Sequence, residues 1–419
     1  MKKITRRTCL GTLAGAITLG ARVFSAEEVV PLSGKTSFLF KVRGKAGFLG
    51  AGDKLGFMHT DGSGLRVLDF GRPNHIGWGP YAFFKDGRRV LLMSIERNDD
   101  WNTKSFQEYY HKSQTHIWEY DIESGSLTER VQEERIAPFY APSALLPGED
   151  RILVTIEQGG CGQLFSMDLD GRNARRITGP KEYVYGVSVS PDGNRIAFHA
   201  DYQIGVTGID GGGRVALTNQ PGLLHFGTSW SPDGEWVLYQ VCDSAAEPGH
   251  DWSDIWIARP DGSEKRALTE GKSAWFASSY GAKDNPGNGS IMPCWAPDGS
   301  GILYARRLPD AKTPWEFQAQ RPDTTHFNRD FKPELARGGT DISCIDPKTG
   351  ESRPLTKVEA GQWDYRPEWS KDSRQFLFCR AKNGGNPAIW IADRNGEGAR
   401  FLTDGVEGQG VEFPRFLRA

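Results

Sequence analysis

One phrase recurs along the chain and limits the folds open to it. It reads Trp230-Ser231-Pro232-Asp233-Gly234, Trp295-Ala296-Pro297-Asp298-Gly299 and Val189-Ser190-Pro191-Asp192-Gly193, with a looser copy at Trp369-Ser370-Lys371-Asp372-Ser373. A short apolar stretch follows each copy: Trp236-Val237-Leu238-Tyr239, Ile302-Leu303-Tyr304, Ile196-Ala197-Phe198 and Phe376-Leu377-Phe378. Self-similarity at a period of roughly 40 residues marks a repeat architecture, in which neighbouring units stack to bury a continuous core.

Each unit reads as four strands. The Pro-Asp-Gly turn joins the first two. A variable loop leads to the third, as in Asp254-Ile255-Trp256-Ile257-Ala258, Ala388-Ile389-Trp390-Ile391-Ala392 and Gln163-Leu164-Phe165-Ser166-Met167. A tight turn then leads to a fourth strand that often ends in Leu-Thr. Asp-Gly between alternating apolar residues is a strong hairpin signal, because glycine accepts positive φ without steric cost. The last turn of the unit recurs at Gly62, Gly125, Gly171, Gly211, Gly262, Gly350 and Gly396, which predicts an all-β, seven-bladed β-propeller. The first turn recurs at Asp86, Glu149, Asp192, Asp233, Asp298 and Asp372, and only the first unit lacks it. That unit starts at Ser37-Phe38-Leu39-Phe40, in what should be its second strand. The C-terminal stretch Val411-Glu412-Phe413-Pro414-Arg415-Phe416-Leu417 is the expected missing strand. Pairing it with the first blade closes the ring and removes two open sheet edges.

A length of 419 residues allows two domains, but the repeat favours one propeller over residues 36–419. The first residues carry Lys2, Lys3, Arg6 and Arg7, followed by an apolar run from Leu10 to Leu19 that is too short to span a bilayer. Thr5-Arg6-Arg7-Thr8-Cys9-Leu10 resembles a twin-arginine export signal, so residues 1–26 read as a signal peptide. The expected product is periplasmic or secreted, with no stable membrane insertion after cleavage. Lys and Arg (51) nearly balance Asp and Glu (53) and form no basic stripe, which argues against nucleic acid as a partner. The cysteines beyond the signal are odd in number and include no Cys-x-x-Cys pair, so buried free thiols are expected in place of disulfides or a zinc ribbon.

The Trp-Ser-Pro-Asp-Gly, Ile-Trp-Ile-Ala and Asp-Gly…Leu-Thr elements together resemble the TolB-type, WD40-like propeller repeat over nearly the whole mature chain. TolB itself carries an α/β domain before its propeller, whereas these blades begin almost directly after the signal segment.

In a propeller, the loops leading into the innermost strands and the loops joining second to third strands meet at one axial face. A site there draws single residues from many blades. These loops nominate His75, Trp363, Tyr365, Asp364, His225 and Glu412 from the first type. They nominate Trp101, Tyr110, His250, Arg307, Trp315 and Arg380 from the second. Three of the second type, 98–115, 243–253 and 308–339, are long, and two of them are rich in aromatics, which points to function over simple disorder. Trp230, Trp295 and Trp369 belong to the repeat and read as inter-blade core, whereas Trp101, Trp315 and Trp363 lie outside it.

One stretch resembles a second family. Ile95-Glu96-Arg97-Asn98-Asp99-Asp100-Trp101, then Phe106-Gln107-Glu108-Tyr109-Tyr110 and Asp121-Ile122-Glu123-Ser124-Gly125, is similar to a loop region of oligogalacturonate lyases. Pro248-Gly249-His250-Asp251 looks like a second shared loop. The resemblance implies β-elimination on a uronate sugar, which needs a cation to neutralise the carboxylate and a base near the operating pH. In that family histidines of the late loops hold a metal. Here Ser290-Ile291-Met292-Pro293, Gln362-Trp363-Asp364-Tyr365 and Gln409-Gly410-Val411-Glu412 contain no histidine. Asp364 and Glu412 are then the candidate ligands of a divalent metal, Arg307 and Arg380 the candidate carboxylate binders, and His225 or His250 the base. His75, Trp101, Tyr110, Trp315, Trp363 and Tyr365 are the candidate ligand-binding residues. Two functions are expected from these readings: an exported propeller that binds a saccharide or a protein partner on one axial face, or a polysaccharide lyase.

Overall fold

The computed structural model describes residues 22–25, 35–43, 54–96, 114–133, 144–158, 161–242, 252–274, 291–317, 329–406 and 408–417. These residues are all-β and propeller-like, with one short 3₁₀ turn at Pro333–Leu335. One four-stranded antiparallel sheet runs through His75–Phe83, Arg89–Glu96, Thr115–Asp121 and Leu127–Glu133. Another runs through Val184–Val189, Arg195–Ala200, Gln203–Gly208 and Val215–Ala216, and between them Arg151–Gln158, Cys161–Asp168 and Arg175–Arg176 form three strands. A five-stranded sheet is built from the N-terminal strands Ser37–Val42, Lys54–His59 and Arg66–Asp69 with strands from both ends of the chain: Val411–Phe416 pairs antiparallel with Ser37–Val42, with Phe416 opposite Phe38 and Val411 opposite Val42. Arg22–Ser25 lies parallel to the outer strand Arg66–Asp69 of the same sheet.

From Leu224 to Thr403 the repeats do not divide into separate sheets. They run together as thirteen strands, because Ser273 pairs with Arg306 and Thr340 pairs in parallel with Trp363 across successive units. The stacking itself is apolar. Leu39, Leu55 and Leu68 of one sheet pack with Trp78, Leu92, Trp118 and Tyr120 of the next, all nearly or fully buried. Each such side chain contributes roughly 1.5–3 kcal/mol by leaving water.

The recurring phrase has a hydrogen-bonding reason. Ser231 Oγ donates to Asp233 and accepts the Trp236 N–H at 2.9 Å. Ser190 does the same between Asp192 and the Arg195 N–H, and Ser370 between Asp372 and the Gln375 N–H. The Ser190 hydroxyl thereby holds the Asp192 carboxyl below its ordinary range. Gly193, Gly234 and Gly299 then turn left-handed. Glu149 (φ 59) stands at this glycine position and not at the aspartate position, a correction to the turn alignment. Its amide donates to Leu146 O as that of Gly193 donates to Ser190 O. Trp230 joins adjacent units as expected: it is 7% exposed, and its Nε1 donates to Ser188 O, 3.1 Å away in the preceding sheet.

The second glycine turn is selected by space as well as by φ. A Cβ on Gly396 (φ 86) would lie 1.9 Å from Leu355 O, and one on Gly211 (φ 89) 2.8 Å from Ile177 O. In both cases the obstacle is backbone of the preceding unit. Gly62 (φ 92) faces open space. Gly396→Ala is therefore expected to cost on the order of 2–5 kcal/mol, strain plus clash. Gly62→Ala should cost only the strain, about 1–2 kcal/mol. Urea denaturation midpoints of the two variants check the difference, and equal losses would remove the inter-unit contact from the account.

Candidate functional site

The innermost strands share a bulge that the sequence pattern did not reveal. Pairing slips between Ile76 and Gly79, Tyr185 and Ser188, Phe226 and Ser229, and Tyr365 and Glu368. At three of these places a left-handed glycine makes the turn: Gly77, Gly186 and Gly227. In two further innermost strands the position holds a large side chain. Arg366 has φ 51, and Phe413 in Val411–Phe416 has φ 55. A non-glycine residue held left-handed costs of order 1–3 kcal/mol, and such strain concentrates at functional sites. Bulges of this kind re-aim side chains next to sites. The available signal was the residue three before the repeat tryptophan: Gly227 before Trp230, Arg366 before Trp369.

The two strained residues meet. The Arg366 guanidinium carbon lies 3.6 Å from the Phe413 ring centroid, and Lys41 Nζ approaches the same ring at 5.5 Å. Beside them Glu412 accepts the Tyr365 hydroxyl at 2.8 Å and pairs with Arg366 at 2.8 Å, with Arg43 at 4.0 Å. Arg43, Arg366, Tyr365 and Glu412 are all buried. Burial, with Glu412 alongside, pushes the Tyr365 phenol well above its usual range, so the hydroxyl stays protonated and donates.

On the other face of the same strand Asp364 is fully buried and bound at both oxygens by Arg380, with Nε and Nη2 at 2.6 and 2.7 Å. A second Arg–Asp pair, Arg306 with Asp341 at 2.5 Å, lies in the adjacent unit. Thr340 Oγ1 donates to the Asp364 carbonyl at 2.7 Å and ties the two units together. Burial pushes the Asp364 carboxyl up to about 6 against the pull of Arg380.

The sequence-derived residues are thus only partly assembled. Asp364 sits with Arg380, and Tyr365 with Glu412, but the two groups occupy opposite faces of one strand. Trp363 and Tyr365, expected to contact ligand, are 0% and 1% exposed. The Trp363 indole belongs to the core, its Nε1 donating to Asn383 Oδ1 at 2.7 Å. His225 is 1% exposed, with Nδ1 3.1 Å from Tyr202 O and Nε2 3.2 Å from Gln220 Oε1. Burial lowers its pKa. A neutral imidazole donates once, so Gln220 must offer its amide nitrogen to the other ring nitrogen. Neither nitrogen is then disposed to take a substrate proton. Arg307 is exposed and stacks at 4.9 Å over Trp252. His75 is half-buried beside His116. Trp315 begins the strand Trp315–Phe317, paired with Arg329–Phe331. His250, Trp101 and Tyr110 lie outside the described residues.

The metal that the lyase resemblance implies does not fit at Asp364 and Glu412. Each carboxylate is neutralised by an arginine in its own buried pair, and a cation would have to displace one arginine from each. The described cysteines 242, 294, 344 and 379 are free thiols. Among the described residues no helix is long and apolar enough to cross a membrane.

No family model matches the chain. A TolB homologue from Chlorobium luteolum is 26% identical over 266 residues, covering 60% of this chain and 51% of that protein, about half its length. Among solved structures, a prolyl endopeptidase aligns with a TM-score of 0.55 at 10% identity, over 91% of this chain and 50% of that one. An oligogalacturonate lyase in complex with manganese aligns with a TM-score of 0.50 at 15% identity, over 87% of this chain and 85% of that one. At these identities the structural likenesses bear on the fold alone.

Proposed function

Since the chain is a TolB-like β-propeller, we propose that it is an exported binding protein that takes a saccharide or a protein partner on one axial face. In this reading seven blades close through the C-terminal strand, residues 1–26 direct export, and the mature protein works in the periplasm or outside the cell. The observation that carries binding is the break in the bulge pattern: Arg366 and Phe413 stand where three other innermost strands have a left-handed glycine, stacked on each other beside buried Glu412. Strain kept at two neighbouring strands is what a built recognition surface would explain. Binding is favoured over elimination because His225 is buried with both ring nitrogens engaged, and because Asp364 and Glu412 are already neutralised.

The test is incubation of the purified mature chain with a panel of uronate oligosaccharides, with and without divalent metal, alongside a glycan array. The expected result is a flat trace at the unsaturated-uronate absorbance band. Retention of an array ligand should fall at least about tenfold, roughly 1.4 kcal/mol, in Phe413→Gly. New absorbance that disappears in His250→Ala would overturn the binding reading in favour of a lyase.

A further inference from the structure

A second cluster lies in the sheet His75–Glu133, away from the site described above. His116 is 4% exposed. Its Nδ1 is 2.6 Å from Glu129 Oε1, and its Nε2 is 3.5 Å from Glu96 Oε2. That Nε2 has no hydrogen-bond partner among the described residues. His75, directly opposite Glu96 in the strand register, packs edge-on against His116 with ring centroids 4.5 Å apart. Its Nδ1 is 2.9 Å from Ser94 Oγ, which also accepts the Trp118 Nε1–H at 2.8 Å. Arg72 stacks over Trp118 at 5.6 Å.

Three features of this arrangement call for an explanation. A buried imidazole nitrogen without a partner forfeits about 1–3 kcal/mol. The 3.5 Å gap to Glu96 exceeds an ordinary hydrogen bond. It matches the separation of about 3.4 Å between two ligands of one tetrahedral ion whose bonds are about 2.0–2.1 Å. Finally, each ring has its Nδ1 held by a neighbour, Glu129 for His116 and Ser94 for His75. A histidine that ligates through one nitrogen is oriented in this way through the other.

We propose that His116 Nε2, Glu96 and His75 Nε2 bind a divalent transition-metal ion of the Zn²⁺ class, with Glu129 and Ser94 orienting the two rings. Mixed imidazole and carboxylate donors suit that class over Ca²⁺ or Mg²⁺. Among the described residues no three His, Cys, Asp or Glu side chains yet converge on one point. The third ligand therefore comes from a pivot of the His75 ring about its Ser94 hydrogen bond, which its half-exposed position allows. Glu96 and Glu129 keep side-chain exposures of 42% and 40%, so an ion has access from solvent.

The probe is Co²⁺, added to the tag-free full chain after chelator treatment and followed by its visible absorbance, with Zn²⁺ competing. Saturable binding of one equivalent is expected. Affinity should fall about 10–100-fold in Glu129→Gln, and further in Glu96→Gln and His116→Gln. If His116→Gln fails to fold, the two glutamate variants carry the test, with far-UV circular dichroism verifying their fold. Absence of saturable Co²⁺ binding, or an affinity unchanged in Glu96→Gln, would reduce the cluster to a histidine–glutamate ion pair and overturn the proposal.

Discussion

A chain ending at Gly410 is expected to lose its cooperative unfolding transition. The deletion removes Val411, Phe416 and Leu417, which are 0%, 5% and 5% exposed. Their burial is worth on the order of 5–9 kcal/mol together. A whole domain is typically stable by only about 5–15 kcal/mol. The deletion also removes Glu412 from Arg366 and Tyr365, and it uncovers the edge of Ser37–Val42. An uncovered edge is a template for pairing with another chain. The truncated chain should therefore show no single thermal transition by near-UV circular dichroism and should elute as higher oligomers. A peptide spanning residues 409–419 added in trans should restore the transition. A truncated chain that stays monomeric and melts within a few degrees of the full chain would mean that the C-terminal strand is an accessory to the fold.

Asp364→Ala should destabilise the protein by about 3–5 kcal/mol, because it leaves the nearly buried Arg380 without its two-pronged partner. Replacing both residues by leucine should cost much less, since a buried pair contributes little net stability once its desolvation is counted. The pH dependence has a definite sign. Burial raises the Asp364 carboxyl from 3.8 to about 6, so the folded state holds this proton more tightly than the unfolded chain. The associated stability is fully present below about pH 3.8 and is lost as pH rises through about 6. Between pH 7 and pH 5 the gap in urea midpoint between wild type and Asp364→Ala should widen. A gap that narrows on acidification would mean that the Arg380 attraction outweighs burial.

The repeat was readable because its causes are local. A Ser-Pro-Asp-Gly turn closes on itself through Ser231, Asp233 and the Trp236 amide, all within six residues. The sequence alone therefore specifies an all-β chain of stacked four-stranded units and the turns within them. Glu149 misled the alignment because a glycine position and an acidic position look alike when the neighbouring residues are Gly148 and Asp150.

The site was less readable because its meaning lies between strands. Asp364 and Glu412 look like cation ligands one at a time, but folding brings Arg380 to the first and Arg366 to the second. Tyr365 and Trp363 look like exposed aromatics at a loop, but stacking of neighbouring sheets buries them. Nothing in the sequence around His116 sets it apart, but folding brings Glu96, Glu129 and His75 to it from three other strands. Hydrogen-bonded turns and alternating burial follow from neighbours in the chain. Which charge neutralises which, and which ring faces a carboxylate, depends on residues far apart in sequence that only the packed sheets bring within a few ångströms.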